Sequence, residues 1–269
     1  MGGDAAPGMV VGGAALARER HPNLRFIMFG DEAEINPLLS RHRALRDCVE
    51  VRHTEHKIMA TDRPSQALRQ GRQSSMRLAI NAVADGEAGG VVSAGNTGAL
   101  MAMSKFALKP MKGIDRPAIC GFLPTLRGES VMLDLGANVE CDQDNLVQFA
   151  IMGAAFARTI LGLPRPTVGL LNVGEEEMKG NEAVKGAAAV LNEAELPLRF
   201  HGFIEGDDIA KGTTDVVVTD GFSGNVALKT IEGTATLFSQ FLRRAFSQSI
   251  LSKLGYMLAK PAMMALRER

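Results

Sequence analysis

The run Asp215-Val216-Val217-Val218-Thr219-Asp220-Gly221-Phe222-Ser223-Gly224-Asn225 decides the fold. A short β-branched, apolar stretch reads as a buried strand, and it gives way at once to a small, polar, glycine-containing loop that opens a helical pattern. Three more stretches repeat that sentence: Gly90-Val91-Val92 before Ser93-Ala94-Gly95-Asn96-Thr97-Gly98, Ser130 to Leu133 before Asp134-Leu135-Gly136-Ala137-Asn138, and Thr167 to Leu171 before Asn172-Val173-Gly174-Glu175-Glu176-Glu177-Met178-Lys179-Gly180. In a parallel sheet all four loops emerge on the carboxyl edge, where open α/β sheets bind ligands. Glycine lets backbone amides approach a ligand, and a helix start offers unpaired N–H groups to an anion. The recurrence predicts an α/β enzyme with one composite site for a phosphate-like group.

Outward from these loops, helical and strand patterns alternate. Helices are expected at 7–21, 31–46, 64–85, 97–109, 145–161 and 182–193, with strands at 24–30, 48–52, 90–92, 118–123, 130–135, 167–171, 199–204 and 215–219. Such interleaving indicates βαβ units and a mainly parallel sheet, with 118–123 and 130–135 close enough for a local antiparallel pair. The chain has 269 residues, is 46% hydrophobic and has a formal net charge of zero, which gives no global basic footprint for nucleic acid. Cys48, Cys120 and Cys141 are widely spaced, without a CxxC, and read as buried apolar packing in a reducing cytosol. No apolar stretch of about 18 residues and no charged-then-apolar leader is found.

The order of several motifs resembles a known family. Asp4 with Met1-Gly2-Gly3, the run from Asp62-Arg63-Pro64-Ser65 to Ser74-Ser75-Met76, Ser93 to Gly98, Gly113-Ile114-Asp115-Arg116-Pro117-Ala118, Asp134 to Asn138, Asn172 to Gly180, and Asp220 to Asn225 with Leu228-Lys229-Thr230 together resemble the PlsX family of bacterial phosphate acyltransferases. The resemblance implies transfer of a fatty acyl group from acyl carrier protein to inorganic phosphate, giving an acyl phosphate for phospholipid synthesis. It also implies a Rossmann-like three-layer α/β/α sandwich and a homodimer; separately, no cofactor and no metal is expected. Members of that family carry a strand before the Met-Gly-Gly-Asp loop and continue past residue 269 through a glycine-rich segment and closing helices, so the resemblance further implies that this chain is a fragment.

Thioester chemistry fits the residue types. A thiolate leaves readily, since its conjugate acid has a pKa of about 8.5, and phosphate is already an anionic nucleophile. The protein must supply positioning, relief of repulsion, and donors for the carbonyl oxygen as it becomes an oxyanion. Glycine, Asn, Ser, Thr and a cation suit that task; GxSxG is missing and no His sits in the loops. Lys179 and Asn225 are the catalytic candidates. For Lys179, spacing alone favours an exposed ion pair with a neighbouring acid, whereas the resemblance favours phosphate or oxyanion stabilisation. Asn225 is either an amide donor to the substrate or a helix cap. Ser75, Ser93, Asn96, Thr97, Asn138 and Asn172 are the substrate-binding candidates, with turn formation as the competing role.

Ser75 interrupts the apolar stripe of Leu68, Gly71, Leu78 and Ala82, and a carbonyl four residues back would satisfy it without any function. Arg69 and Arg72 share a face that is either solvated or attractive to an acidic carrier or to phosphate. His53-x-x-His56 lacks the acids or cysteines of a metal site. A dinucleotide dehydrogenase would need G-x-G-x-x-G, and the chain offers only Gly95 and Gly98. A phosphotransacetylase-like transfer between acyl-CoA and phosphate, and an inactive membrane-associated fragment, remain as alternatives.

The last segment stands apart in charge. Residues 237–269 hold Arg243, Arg244, Lys253, Lys260, Arg267 and Arg269 against Glu268, a surplus of +5 that leaves the remainder at −5. Phe238, Phe241, Leu242, Ala245, Phe246, Ile250, Leu254, Met257 and Leu258 recur there at helical spacing, Pro261 ends or kinks the helix, and Met263, Met264 and Leu266 continue the apolar character. The expected organisation is an α/β catalytic domain over 1–236 and a basic amphipathic helical segment over 237–269. That segment would either pack on the rest of the protein or across a dimer, or dock on the anionic inner face of the cell membrane, beside the downstream membrane glycerol-phosphate acyltransferase.

Overall fold

The computed structural model describes residues 1–267, with side chains described as far as Met264. The tail readings on Leu266, Arg267, Glu268 and Arg269 therefore lie outside the described side chains. The chain divides into two compact units, Met1–Pro117 and Ala118–Arg269.

In the first unit the order is α1 (Gly8–Arg20), β1 (Phe26–Gly30), α2 (Glu32–Leu39), a 3-10 turn at Arg43–Leu45, β2 (Val49–His53), α3 (Pro64–Gln70), α4 (Ser75–Ala84) and α5 (Thr97–Leu108). β1 and β2 pair in parallel, Phe26 opposite Val49 through Gly30 opposite His53. Val11, Ala15, Met28, Ile35, Leu45 and Cys48 form one apolar cluster. Ile58, Ala67, Met76, Ile80, Ala99 and Met103 form another, from α3, α4, α5 and the segment before them.

The helix expected over 31–46 stops at Leu39, with a separate 3-10 turn at Arg43–Leu45, and two further expectations fail in this unit. The helix expected over 64–85 breaks after Gln70, because Ser74 accepts the Arg77 N–H at 3.3 Å and donates its own hydroxyl to the Gly71 carbonyl at 2.6 Å, capping a new helix in place of continuing the old one. The strand expected at 90–92 does not form: Val91 is partly buried, but Val92 is 94% exposed, and no described strand pairs with the segment. An extended run becomes a strand only when a neighbour takes its backbone hydrogen bonds.

The second unit runs β3 (Cys120–Thr125), β4 (Gly128–Leu133), α6 (Gln143–Ile160), β5 (Thr167–Leu171), α7 (Glu182–Glu193), β6 (Arg199–Ile204), α8 (Gly206–Lys211), β7 (Val216–Val218), α9 (Gly221–Ser247) and α10 (Ile250–Arg267). Its sheet has the order β3-β4-β7-β5-β6. β4, β7, β5 and β6 are mutually parallel, and β3 is the antiparallel edge strand next to β4, as the short connection foretells.

Period-two alternation builds the layers. Val131, Leu133, Val168, Leu170, Val216 and Val218 pack with Phe149, Ala150 and Ala154 of α6 and Val184, Ala187 and Leu191 of α7. Met132 and Val217, one residue out of step, point to the other face with Ile209 of α8 and Ala227 and Leu228 of α9. The unit is a three-layer α/β/α sandwich. α9 runs through positions 236 and 237 without a break, and the basic segment is therefore its second half together with α10. Pro261 lies inside α10 and does not end it.

Candidate active site

β4, β7 and β5 are neighbours in the parallel sheet, so the loops after them leave its carboxyl edge side by side. Their geometry is set by two buried or capping aspartates. Asp134 is fully buried, and its carboxylate accepts the backbone N–H groups of Ile119 (2.9 Å), Gly136 (3.2 Å), Ala137 (3.0 Å) and Asn138 (2.7 Å), with the Asn138 side-chain amide at 2.8 Å. A carboxylate has the lone pairs for such a set, and a neutral side chain does not. Asp220 caps α9, taking the Ser223 N–H and hydroxyl, both at 2.8 Å.

α9 begins directly against the Asp134 loop. The Gly221 N–H donates to the Asn138 carbonyl at 2.7 Å, and a Cβ on Gly221 would stand 2.8 Å from the Asn138 nitrogen. A Cβ on Gly224 would run into the Asp134 carbonyl oxygen. Only glycine allows that seating, and it fixes where the next residue stands. Asn225 is exposed and lies over Gly136, which has φ +129°; the position of a Cβ there is 3.4 Å from Asn225 Cβ and 3.5 Å from its Oδ1. Because Asp220 is the cap, Asn225 is not, and its amide makes no hydrogen bond among the described residues. In the first turn of α9, Gly221, Ser223 and Gly224 have spent their N–H groups on Asn138, Asp220 and Asp220, which leaves that of Phe222 without a partner among the described residues.

The loop after β5 is braced by Asn172, whose amide donates to the carbonyls of Gly174 (3.0 Å) and Lys179 (3.1 Å). Lys179 folds over Gly174, where a Cβ would come within 2.9 Å of its Nζ, and pairs with Glu176 at 2.8 Å. Both partners are substantially exposed. The Glu176 hydrogen bond and charge, helped by the Glu205 charge beyond β6, hold the Lys179 ammonium above its usual range; the same hydrogen bond holds Glu176 below the usual carboxylate range.

The Ser93–Gly98 loop belongs to the first unit. Asn96 caps α5 through the Ala99 N–H at 3.0 Å and spreads its amide over the carbonyls of Met59, Ala60 and Asp62, the last at 2.8 Å. Ser93 accepts the Gly95 N–H at 3.2 Å, and the Thr97 side chain is exposed. Ser75 is buried with its N–H on the His56 carbonyl; the hydroxyl that takes the Gly71 carbonyl is that of Ser74. His53 accepts the Glu32 N–H at 3.3 Å through Nδ1.

The structure thus separates the candidates. The side-chain amides of Asn96, Asn138 and Asn172 and the Ser93 hydroxyl shape loops, whereas Asn225 and Lys179 present polar groups at the carboxyl edge of the second unit. Asp134 and Asp220 stood inside these loops without a role, whereas Glu176 is the neighbouring acid of the ion-pair reading of Lys179; the glycine pair Gly221 and Gly224, three apart, was the signal that the helix start meets another backbone closely.

An exposed amide, a charged ammonium and an N–H without a partner among the described residues stand at the carboxyl edge of the parallel sheet of an α/β enzyme. The chain belongs to the fatty acid synthesis protein family, whose model matches residues 1–269, and it is an acyltransferase. Proteins named phosphate acyltransferase are similar throughout: that of Rhodospirillum centenum is 63% identical over all of this chain and 76% of its own length, and that of Rhodospirillum rubrum 60% identical over all of this chain and 77% of its own. Two solved structures share the fold. EutD phosphotransacetylase from Staphylococcus aureus superposes with a TM-score of 0.54 at 15% identity over 85% of this chain and 87% of that one. A branched-chain phosphotransacylase from Enterococcus faecalis V583 gives 0.53 at 18% identity over 86% and 82%.

Proposed function

We propose that the enzyme transfers a fatty acyl group from the thioester of acyl carrier protein to inorganic phosphate, releasing an acyl phosphate for phospholipid synthesis. The observation that carries this reading is the match of the entire chain to relatives named phosphate acyltransferase. In the reaction a phosphate oxygen attacks the thioester carbon, the carbonyl oxygen takes negative charge, the C–S bond breaks, and the thiolate leaves and picks up a proton from water. The Asn225 amide and the Phe222 N–H supply donors to the developing oxyanion, and Lys179 offsets phosphate charge. Ser75, Ser93 and Thr97 are the first unit's candidates for contact with substrate.

The apolar residues of the α9–α10 region complete the proposal. Phe238, Phe241, Leu251, Leu254, Met257 and Leu258 are exposed, Phe246 and Tyr256 hold the two helices together with ring centroids 5.3 Å apart, and no described helix is long and apolar enough to cross a membrane. We propose that the protein is a cytoplasmic homodimer bound peripherally to the anionic inner face of the cell membrane, where an acyl phosphate can pass to a membrane glycerol-phosphate acyltransferase.

Phosphate-dependent release of free carrier from acyl carrier protein thioester, with the acyl phosphate trapped by hydroxylamine, tests the assignment. Turnover that ignored phosphate would end it. Preference for a coenzyme A thioester over the carrier thioester would favour the phosphotransacetylase-like alternative.

A further inference from the structure

α3, α4 and α5 surround a cavity of about 530 Å³ lined by Leu68, Arg69, Arg72, Arg77, Asn81 and Phe106. Arg69 and Arg72 are exposed, Arg77 is half-buried, and the Phe106 ring is exposed. Arg77 Nε donates to Asn81 Oδ1 at 2.9 Å and Arg69 Nε to the Ser65 carbonyl at 3.2 Å, but none of the three guanidinium groups pairs with a carboxylate among the described residues. The sequence shows the same bias independently. Residues 63–84 and 97–114 contain Arg63, Arg69, Arg72, Arg77, Lys105, Lys109 and Lys112 and no Asp or Glu, within a chain whose net charge is zero.

We propose that this cavity is the docking surface for an acidic helix of the protein that carries the acyl thioester. The inference rests on the reading that the donor is a carrier-bound acyl group, and it adds where the carrier sits. Guanidinium forks bind carboxylates two bonds at a time, so three of them without counter-ions select an acidic surface. Leu68 and Phe106 give that surface an apolar anchor inside a charged rim, the usual anatomy of a protein interface. A free phosphate is far smaller than the cavity and would be left open to water. A bilayer meets protruding side chains, whereas this site is concave.

Arg72→Glu and Arg69→Glu, with melting temperature as the control for folding, are compared with the wild type on one acyl group carried either by acyl carrier protein or by coenzyme A. KM for the carrier thioester should rise about tenfold or more with kcat and the coenzyme A parameters unchanged, and the salt dependence of the wild-type KM should flatten. An equal loss with both thioesters, or an unchanged carrier KM, overturns the proposal, as does a loss that appears only in binding to anionic vesicles. Titration with acyl-free carrier separates the two questions. Binding to the wild type that Arg72→Glu abolishes upholds the surface even if the carrier thioester is not turned over, which would sink the donor assignment alone; no binding to the wild type overturns the surface.

Discussion

Asn225 stands over Gly136, its Cβ 3.4 Å and its Oδ1 3.5 Å from where a Gly136 Cβ would be. The residue reaches that place because Gly221 and Gly224 let the start of α9 lie on the backbone of the Asp134 loop. Its amide is thereby held at the junction of two carboxyl-edge loops without being consumed by either. Asn225→Ala should lower turnover on the order of 10²-fold, as removal of an oxyanion donor does. The helix is capped by Asp220, so the melting temperature should not change. A variant with wild-type kcat and a lowered melting temperature would make Asn225 a structural residue.

Lys179 and Glu176 allow a sharper division. If the ammonium serves only the ion pair, Lys179→Ala and Glu176→Gln should behave alike. If it serves the substrate, Lys179→Ala should cost about 10²-fold or more in turnover while Glu176→Gln, which frees the ammonium, keeps activity. Saturating phosphate is the condition under which kcat decides between them.

The same pair makes a statement about pH. Glu176 titrates below its ordinary 4.5 in the folded protein, so its contribution to stability is present above that value and lost as pH falls through the lowered pKa. Lys179 titrates above its ordinary 10.5, so its contribution is present below that value and lost as pH rises through the raised pKa. Between about pH 6 and 9 neither thermal stability nor kcat should show a step from this pair. A step near neutrality that disappears in Lys179→Ala would contradict the assigned charge state.

Asp134→Asn tests the scaffold. One carboxylate oxygen would become an NH2 group facing N–H donors in a fully buried position, leaving donors of Gly136, Ala137 or Asn138 unsatisfied. The expected cost is about 3 kcal/mol, a fall of several degrees in melting temperature, with activity lost alongside because the loop carries Gly136 beneath Asn225. Undiminished stability would mean that the loop has another support.

Much of the fold was legible because period and punctuation coincide. The expected bounds 182–193 and 199–204 are those of α7 and β6, where the apolar spacing is regular and a cap or turn closes each end. α8 escaped because six residues show no period, although Glu205, Asp208 and the left-handed Gly212 mark its ends. The helix expected over 64–85 runs straight through Ser74, whereas a serine before a helix competes for the backbone and restarts it. In the site, strand and loop positions were readable and side-chain duties were not. Asn96 holds carbonyls 34 to 37 positions away in sequence, and nothing local to Asn96 announces that.

The exposed apolar side chains of α9 and α10 give the last prediction. Leu254 is 54% exposed, with Leu251, Met257 and Leu258 more so, and Arg243, Arg244, Lys253 and Lys260 lie on the same two helices. Apolar side chains of this kind are covered in use, either by a second copy of the chain or by the acyl boundary of a bilayer. Basic residues near an anionic surface contribute about 1 kcal/mol each, so four with inserted apolar groups are enough for reversible attachment. Co-sedimentation should therefore be stronger with anionic than with neutral vesicles, and Leu254→Glu should abolish it while leaving kcat on a water-soluble thioester unchanged. If both vesicle types bind equally, or Leu254→Glu binds as well as the wild type but elutes as a smaller species in size-exclusion chromatography, the helices cover one another across a dimer and the membrane assignment falls.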